Sequence, residues 1–202
     1  MASTFTKVVF CIIGLLIAFN VKAQKHDFVI TANGDTINCK ISKPFYSGVF
    51  RYKTDDGKSV KMDDPTKIKE YYTAKNNTYF LSAYGGRSKG WSFFTVIEKG
   101  KITLLEGRTQ YPGMMGANGV MTGGSSSTEW YVKKGSDTVK EIKTSSWSLL
   151  GKSHKSRKND FEEMISDNAD VLNKYKAEDK FSFKQIRNLI HIYNTGEPLK
   201  ED

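Results

Sequence analysis

The sequence predicts an α+β protein in which an antiparallel β sandwich or small barrel is followed by two or three C-terminal helices. Short segments rich in aromatic and β-branched residues recur between turn residues up to residue 150, at the roughly 8–12-residue spacing of a sandwich or barrel. After Gly151 the apolar residues follow helical spacing instead, as at Phe161, Met164 and Ile165. We therefore divide the chain into a signal segment, a β domain, and a basic linker with helices, at residues 1–23, 24–150 and 151–202.

Residues 1–23 have the pattern of a cleavable signal peptide. Lys7 precedes the apolar run VVFCIIGLLIAF, and Val21-Lys22-Ala23 ends the segment, which predicts cleavage after Ala23. The run is shorter than the ~20 residues that a membrane span needs, and no second run of that length follows. Cys11 lies inside the run rather than after it, which argues against lipidation. We expect a periplasmic or secreted protein with no transmembrane segment after cleavage.

The net charge limits the classes of partner that we expect, and the cysteine content indicates what stabilises the fold. Cleavage removes two lysines and no acid, which lowers the net charge from +9 to +7. A basic exported protein suits an envelope protein, a glycan or an anionic surface better than nucleic acid, although interspersed acids favour an ordinary solvated surface. Only Cys39 remains in the mature chain, so stability must come from the packed core rather than from an intramolecular disulfide.

The β domain opens with two predicted hairpins. In residues 26–41, HDFVITANGDTINCKI, a two-residue Asn33-Gly34 loop fits a type I′ turn. That register pairs Ile30 with Ile37 and Phe28 with Cys39, so Cys39 is expected to be a buried apolar residue rather than a reactive thiol. In residues 48–62 a three-residue loop with a left-handed Gly57 is preferred, because it keeps the apolar residues of both strands on one face.

The later elements follow from apolar patterns and caps. A short turn or a single helical turn is expected at 64–68, and strands are expected at 78–84, 91–98, 101–108, 129–134 and 138–143. In FSFKQIRNLIHIYNTGEP, Ser182 and Gln185 match a capping box, and Phe181 with Ile186 match the hydrophobic staple. His191 lies off the apolar stripe of this helix and is expected at the surface.

A long Gly- and Met-rich connection, residues 111–128, separates two of the predicted strands. Connections of this length are either functional or disordered. Its glycines and serines favour a mobile loop, whereas its apolar side chains favour an adaptable contact surface, since Met side chains suit pliable interfaces. The candidate partner contacts are Met114, Met115, Val120 and Met121.

Two further patterns suggest surface roles. The linker segment KSHKSRK is either a solvated basic stretch or a docking patch for anionic headgroups or glycans, formed by Lys152, Lys155, Arg157 and Lys158. Asp-Thr-aliphatic triplets place Thr36 and Thr138 in a pattern that resembles the acceptor motif for O-glycosylation of exported Bacteroidota proteins.

No residue set supports a catalytic, metal or cofactor site. Gly86-Arg87-Ser88-Lys89-Gly90 matches G-x-S-x-G, but a strand pattern follows where the motif requires a helix. The three histidines stand alone, without partners at ligand spacing. The strand glutamates Glu98, Glu106, Glu129 and Glu141 single out no pair and are expected at exposed positions.

Aromatic residues crowd residues 71–94. Neighbours in an extended strand point to opposite faces, so at most half of these rings belong to one core. The remainder either pack elsewhere or form a flat surface that stacks on sugars.

Several segments carry a family resemblance: DFVITANGDTINCKI, IKEYY, FFTVIEKGKITLLE, EWYVKKG and FSFKQIRNLIHIYN. Together they resemble a broad group of exported, uncharacterised Bacteroidota proteins. Those proteins open with a GDTIxGKI-like hairpin and end in a helix that finishes in YN. Cys39 stands where glycine is usual in that group, and the resemblance implies no catalytic residues.

These observations favour an exported, non-enzymatic β module that binds a partner at the cell envelope. The alternative is a small-ligand carrier, for a glycan or a lipid, that uses an aromatic-lined surface. A hydrolase is the least favoured class.

Overall fold

The computed structural model describes residues 25–43, 49–86, 89–111, 119, 123–135, 138–145, 152–178 and 180–200. Its strands are β1 (Phe28–Thr31), β2 (Thr36–Ser42), β3 (Arg51–Thr54), β4 (Ser59–Lys61), β5 (Ile68–Thr73), β6 (Thr78–Gly85), β7 (Gly90–Glu98), β8 (Thr103–Tyr111), β9 (Ser125–Lys133) and β10 (Thr138–Thr144). Its α-helices are α1 (His154–Ile165), α2 (Ala169–Glu178) and α3 (Phe183–Thr195). The predicted order of an antiparallel β region followed by C-terminal helices is confirmed.

The strands form one sheet that closes on itself at one side. Their order is β10-β9-β8-β7-β6-β5-β1-β2-β3-β4, and every neighbouring pair in that order is antiparallel. A parallel contact between β10 and β6, at Thr138–Tyr84 and Val139–Gly85, closes β6–β10 into a small barrel. Strands β5, β1, β2, β3 and β4 continue the sheet beyond the barrel, and we call them the extension.

Three apolar clusters hold these parts together. The barrel interior contains Phe94, Leu105 and Tyr131, each no more than 4% exposed. The outer face of β8–β10 packs against the helices, and the core of the extension is built around Val29 and Tyr71. Burying one large apolar side chain contributes roughly 1.5–3 kcal/mol, so the helices are integral to the stability of the β region.

The loop of the first hairpin is one residue longer than predicted. Thr31 N–H donates to Asp35 C=O at 2.9 Å, and Gly34 has a φ of +94°. The loop is therefore the three residues Ala32-Asn33-Gly34, and Val29 pairs with Ile37. The predicted type I′ turn and its register are wrong, because β1 is an inner strand between β2 and β5 and both of its faces have apolar neighbours.

The second hairpin and the helical turn follow their predictions. Tyr52 pairs with Val60, Gly57 has a φ of +87°, and Gly57 N–H donates to Thr54 C=O at 2.9 Å. Residues Pro65–Lys67 form a single 3₁₀ turn, which the Asp64 side chain caps by accepting the N–H of Thr66.

The C-terminal helix also begins and ends where predicted. Ser182 Oγ accepts the N–H of Gln185 at 3.1 Å, and left-handed Gly196 closes the last turn. Phe181 and Ile186 belong to the same buried cluster, as the staple predicts. The capping box is only half formed, since Gln185 Nε2 donates to Glu178 Oε2 at 3.2 Å.

Candidate ligand and partner surfaces

An exposed aromatic pair lies at one mouth of the barrel. Tyr84 and Trp91 sit directly opposite each other on β6 and β7, with ring centroids 6.2 Å apart in a T-shaped arrangement. Their exposed fractions are 45% and 41%, although aromatic rings in strands normally pack against neighbours. They occupy the outer face of the barrel, in line with Ser82 and Phe93. We call this pair the aromatic mouth.

The long Gly/Met connection leaves the barrel at the same end. Because β7 and β8 are antiparallel, the start of β7 and the end of β8 lie at one mouth. The strands flanking the connection are paired up to Tyr111 and Ser125, so the connection starts and finishes at this mouth. It comprises residues 112–124 rather than the predicted 111–128, because β9 begins earlier than its apolar pattern suggests. Its candidate contact residues Met114, Met115, Val120 and Met121 lie outside the described residues.

A second aromatic cluster lies on the other side of the sheet. Phe28 stacks on Tyr72 with centroids 5.5 Å apart, and Tyr79 contacts both rings while remaining 41% exposed. The hydroxyl of Tyr72 donates to Asn77 Oδ1 at 2.9 Å. The sequence could not predict that these three rings meet, because their contact depends on the register of β1.

A groove lies beside the second cluster. It has a volume of about 260 Å³, and its apolar lining comes from Ile30, Leu81 and Val96. An ion pair between Lys99 and Glu70, 2.8 Å apart, lies at its edge. The groove is therefore an apolar depression with a charged rim.

The strand glutamates are not the exposed residues that the sequence suggested. Glu129 is 1% exposed and accepts hydrogen bonds from Ser127 and, at 3.3 Å, from Thr109. Opposite it stands Gly107, where an added Cβ would lie 3.0 Å from the Tyr131 ring. Sequence reasoning missed this buried carboxylate, because its burial depends on the closure of the barrel.

The other three glutamates join separate elements. Glu98 bonds to His191, Glu141 pairs with Arg157, and Glu106 accepts from Arg108 and from the indole N–H of Trp130. Their side chains are 12–23% exposed. They therefore act as structural partners in this fold.

The predicted surface position of His191 is also wrong. It is half-buried, with Nδ1 lying 3.0 Å from Glu98 Oε1. The helical stripe alone misplaces it, since the turn between β7 and β8 covers this side of α3.

The predicted basic linker is helical from His154 onward, as the first turns of α1, and its four cations do not converge on one site. Lys152 pairs with Asp160, while Arg157 binds Glu141 at 3.0 Å and the carbonyl of Lys152 at 2.6 Å. Lys155 and Lys158 line a shallow pocket with Tyr175. Two of the four predicted docking residues thus have carboxylate partners within the fold.

The remaining predicted residues lie as follows. Thr36 and Thr138 are exposed at the starts of β2 and β10, whereas Ser88 lies outside the described residues. Cys39 is half-buried against the extension core, and burial raises the pKa of its thiol to about 11.

Within the described part of the chain, no three metal-ligating side chains come together. None of the described helices has the length and apolar character to cross a membrane. No protein-family model, curated protein or solved structure matches this chain.

Proposed function

We propose that this protein is an exported, non-enzymatic β module that binds a partner at the cell envelope through the aromatic mouth and the adjoining connection between β8 and β9, residues 112–124. The observation that carries the proposal is the exposure of Tyr84 and Trp91. Aromatic side chains supply large contact areas, and Tyr and Trp dominate the energetics of protein interfaces. The signal-peptide pattern of residues 1–23 and the resemblance to exported Bacteroidota proteins support the location.

The position of the aromatic mouth strengthens this proposal. A rigid barrel end presents the two rings, and a connection rich in Gly and Met begins at the same end. Rigid aromatic anchors next to adaptable Met side chains suit a protein contact.

The small-ligand carrier is the second candidate. The Phe28–Tyr72–Tyr79 cluster and the neighbouring groove favour it, since sugar rings and acyl chains both bind apolar surfaces with polar rims. The barrel interior is filled by Phe94, Leu105 and Tyr131, which leaves the outer surface as the place for such a ligand.

One capture experiment separates the two candidates. The mature protein is immobilised and exposed to envelope extract from its own source, next to a Tyr84→Ser/Trp91→Ser variant. We expect the double variant to recover at least tenfold less of the specific component, because the two anchors are removed. Tyr79→Ser is the matched control, with a ring of the same 41% exposure as Trp91.

Deletion of residues 114–122 tests the connection, because it removes all four candidate contacts and leaves β8 and β9 intact. The variant is expected to keep the thermal unfolding transition of the parent protein and to lose the captured component. Unchanged recovery by the double variant would contradict the proposal. Loss with Tyr79→Ser alone would favour the carrier.

A further inference from the structure

Four cations cluster on one face of the sheet extension, far from the aromatic mouth. They are Lys40 on β2, Arg51 and Lys53 on β3, and Lys61 on β4, and we call them the basic face. Lys40 lies directly opposite Lys53, and Arg51 directly opposite Lys61. Neighbouring strands are ~4.8 Å apart, so each pair holds two like charges side by side.

These charges have no close partner in the described part of the fold. No ion pair or hydrogen bond joins the four charged groups to another described residue. The connection between β2 and β3, residues 43–50, has the sequence KPFYSGVF and contributes no acid.

The arrangement opposes stability. Like charges directly opposite each other destabilise an antiparallel pair, and protein surfaces normally intersperse charges of both signs. Elsewhere this chain follows that rule, as the pairs Lys99–Glu70 and Lys152–Asp160 show. An external anion that satisfies all four groups explains why this face departs from it.

The neighbouring side chains indicate which kind of anion fits. The other positions of this face on β2 and β4 are exposed and bear short hydroxyl or amide groups: Thr36, Asn38, Ser42 and Ser59. A surface that docks on a bilayer combines cations with apolar side chains that insert between lipids, and these positions provide none. They provide hydrogen-bonding groups for a hydrated ligand.

The same sheet face continues into the aromatic cluster. Asn38 pairs with Phe28, Phe28 with Tyr72, and Tyr72 with Tyr79. A linear ligand that contacts the cations therefore reaches an exposed ring whose apolar surface suits the C–H face of a sugar.

We propose that the basic face, Lys40, Arg51, Lys53 and Lys61, binds an acidic polysaccharide, whose carboxylates contact the cations while a neighbouring sugar lies against the Phe28–Tyr79 rings. The proposal does not depend on the aromatic mouth, because the two surfaces share no residue.

Polygalacturonate, which carries one carboxylate per sugar, is the probe, and neutral dextran is its control. We expect the mature protein to bind polygalacturonate and not dextran, with affinity that falls as salt increases. The Lys40→Gln/Lys53→Gln variant should bind at least tenfold more weakly. Its melting temperature should stay the same or rise, since a repulsive pair is removed, so weaker binding is not a result of unfolding.

The Lys155→Gln/Lys158→Gln variant makes the same change in net charge on α1 and should retain the parent affinity within about twofold. Equal weakening in both variants, or no binding of polygalacturonate by the parent protein, would overturn the proposal. Tighter binding to single-stranded DNA or to vesicles that contain phosphatidylglycerol would also overturn it, because the occupant would then be a different polyanion.

Discussion

The thiol of Cys39 illustrates how much one residue's environment sets its chemistry. Its side chain packs against the extension core, and burial together with the charges of Asp27 and Asp55 raises its pKa from 9.0 to about 11. The thiolate is the reactive form of cysteine. At neutral pH the thiol therefore stays protonated, as expected, although the Phe28–Cys39 pairing from which the sequence predicted this is not formed.

This raised pKa has a defined effect on stability. The folded state holds the thiol proton more tightly than the unfolded chain, so the contribution is complete below pH 9 and is lost as the pH rises towards about 11. We expect the free energy of unfolding to fall over that interval more steeply in the parent protein than in Cys39→Ala. Denaturant titrations at several pH values measure it, and parallel pH profiles for the two proteins would contradict it.

The environments of Glu129 and His191 could not be predicted from the sequence. Both look like surface positions, yet Glu129 is 1% exposed in the barrel and His191 bonds to Glu98. Their burial is produced by strands and turns distant in sequence, which no local pattern encodes.

At the scale of an element, the two hairpins show when the turn sequence is sufficient to predict the register of the strands. Both use a three-residue loop with a left-handed glycine, at Gly34 and Gly57. For β3–β4, at the edge of the sheet, a single apolar face determines the register, and the prediction is confirmed. For β1 both faces are occupied, so Val29 and Phe28 each have apolar partners and the local pattern cannot choose between them.

The cap of α3 is a local device that the sequence identifies directly. Replacing Ser182 by Ala removes the acceptor for the Gln185 N–H and should lower the free energy of unfolding by about 1 kcal/mol. Urea denaturation measures the loss. Ser182→Asp, which keeps an acceptor at the cap, should recover most of the stability, and equal stability of all three proteins would exclude a contribution from the cap.

At the scale of the whole molecule, Asn194 joins the helices to the barrel. Its Oδ1 accepts the N–H of Ile102 at 3.0 Å, and its Nδ2 donates to the carbonyl of Ile102 at 2.8 Å. The contact is so close that a Cβ on Gly100 would lie 2.3 Å from the Asn194 side chain. The last turn of α3 is thus fixed to the β7–β8 connection.

Asn194→Ala tests this junction. It leaves the backbone groups of Ile102 without their partner and should cost about 1–3 kcal/mol of stability, measured by denaturant unfolding. Asn188→Ala is the matched control on the same helix, because among the described residues the Asn188 side chain bonds to just one group, the N–H of Leu199 in the C-terminal tail. We expect Asn194→Ala to lower the free energy of unfolding more than Asn188→Ala does, and equal losses would contradict a role for this junction in the whole fold.

The candidate surfaces were only partly visible in the sequence. The crowd of aromatic residues was evident, but which rings remain exposed depends on the strand pairing that sets Tyr84 against Trp91. The basic face was missed, because Lys40, Arg51 and Lys61 lie on three strands and become neighbours only through register.

The sequence by itself determined the order of strands and helices, the second hairpin and both ends of α3, since alternation, turn glycines and caps act between residues close along the chain. Only the tertiary structure decided the β10–β6 closure, the register of β1 and the grouping of the basic face. These depend on pairings between distant segments, where the burial of both faces of a strand outweighs the preference of a single turn.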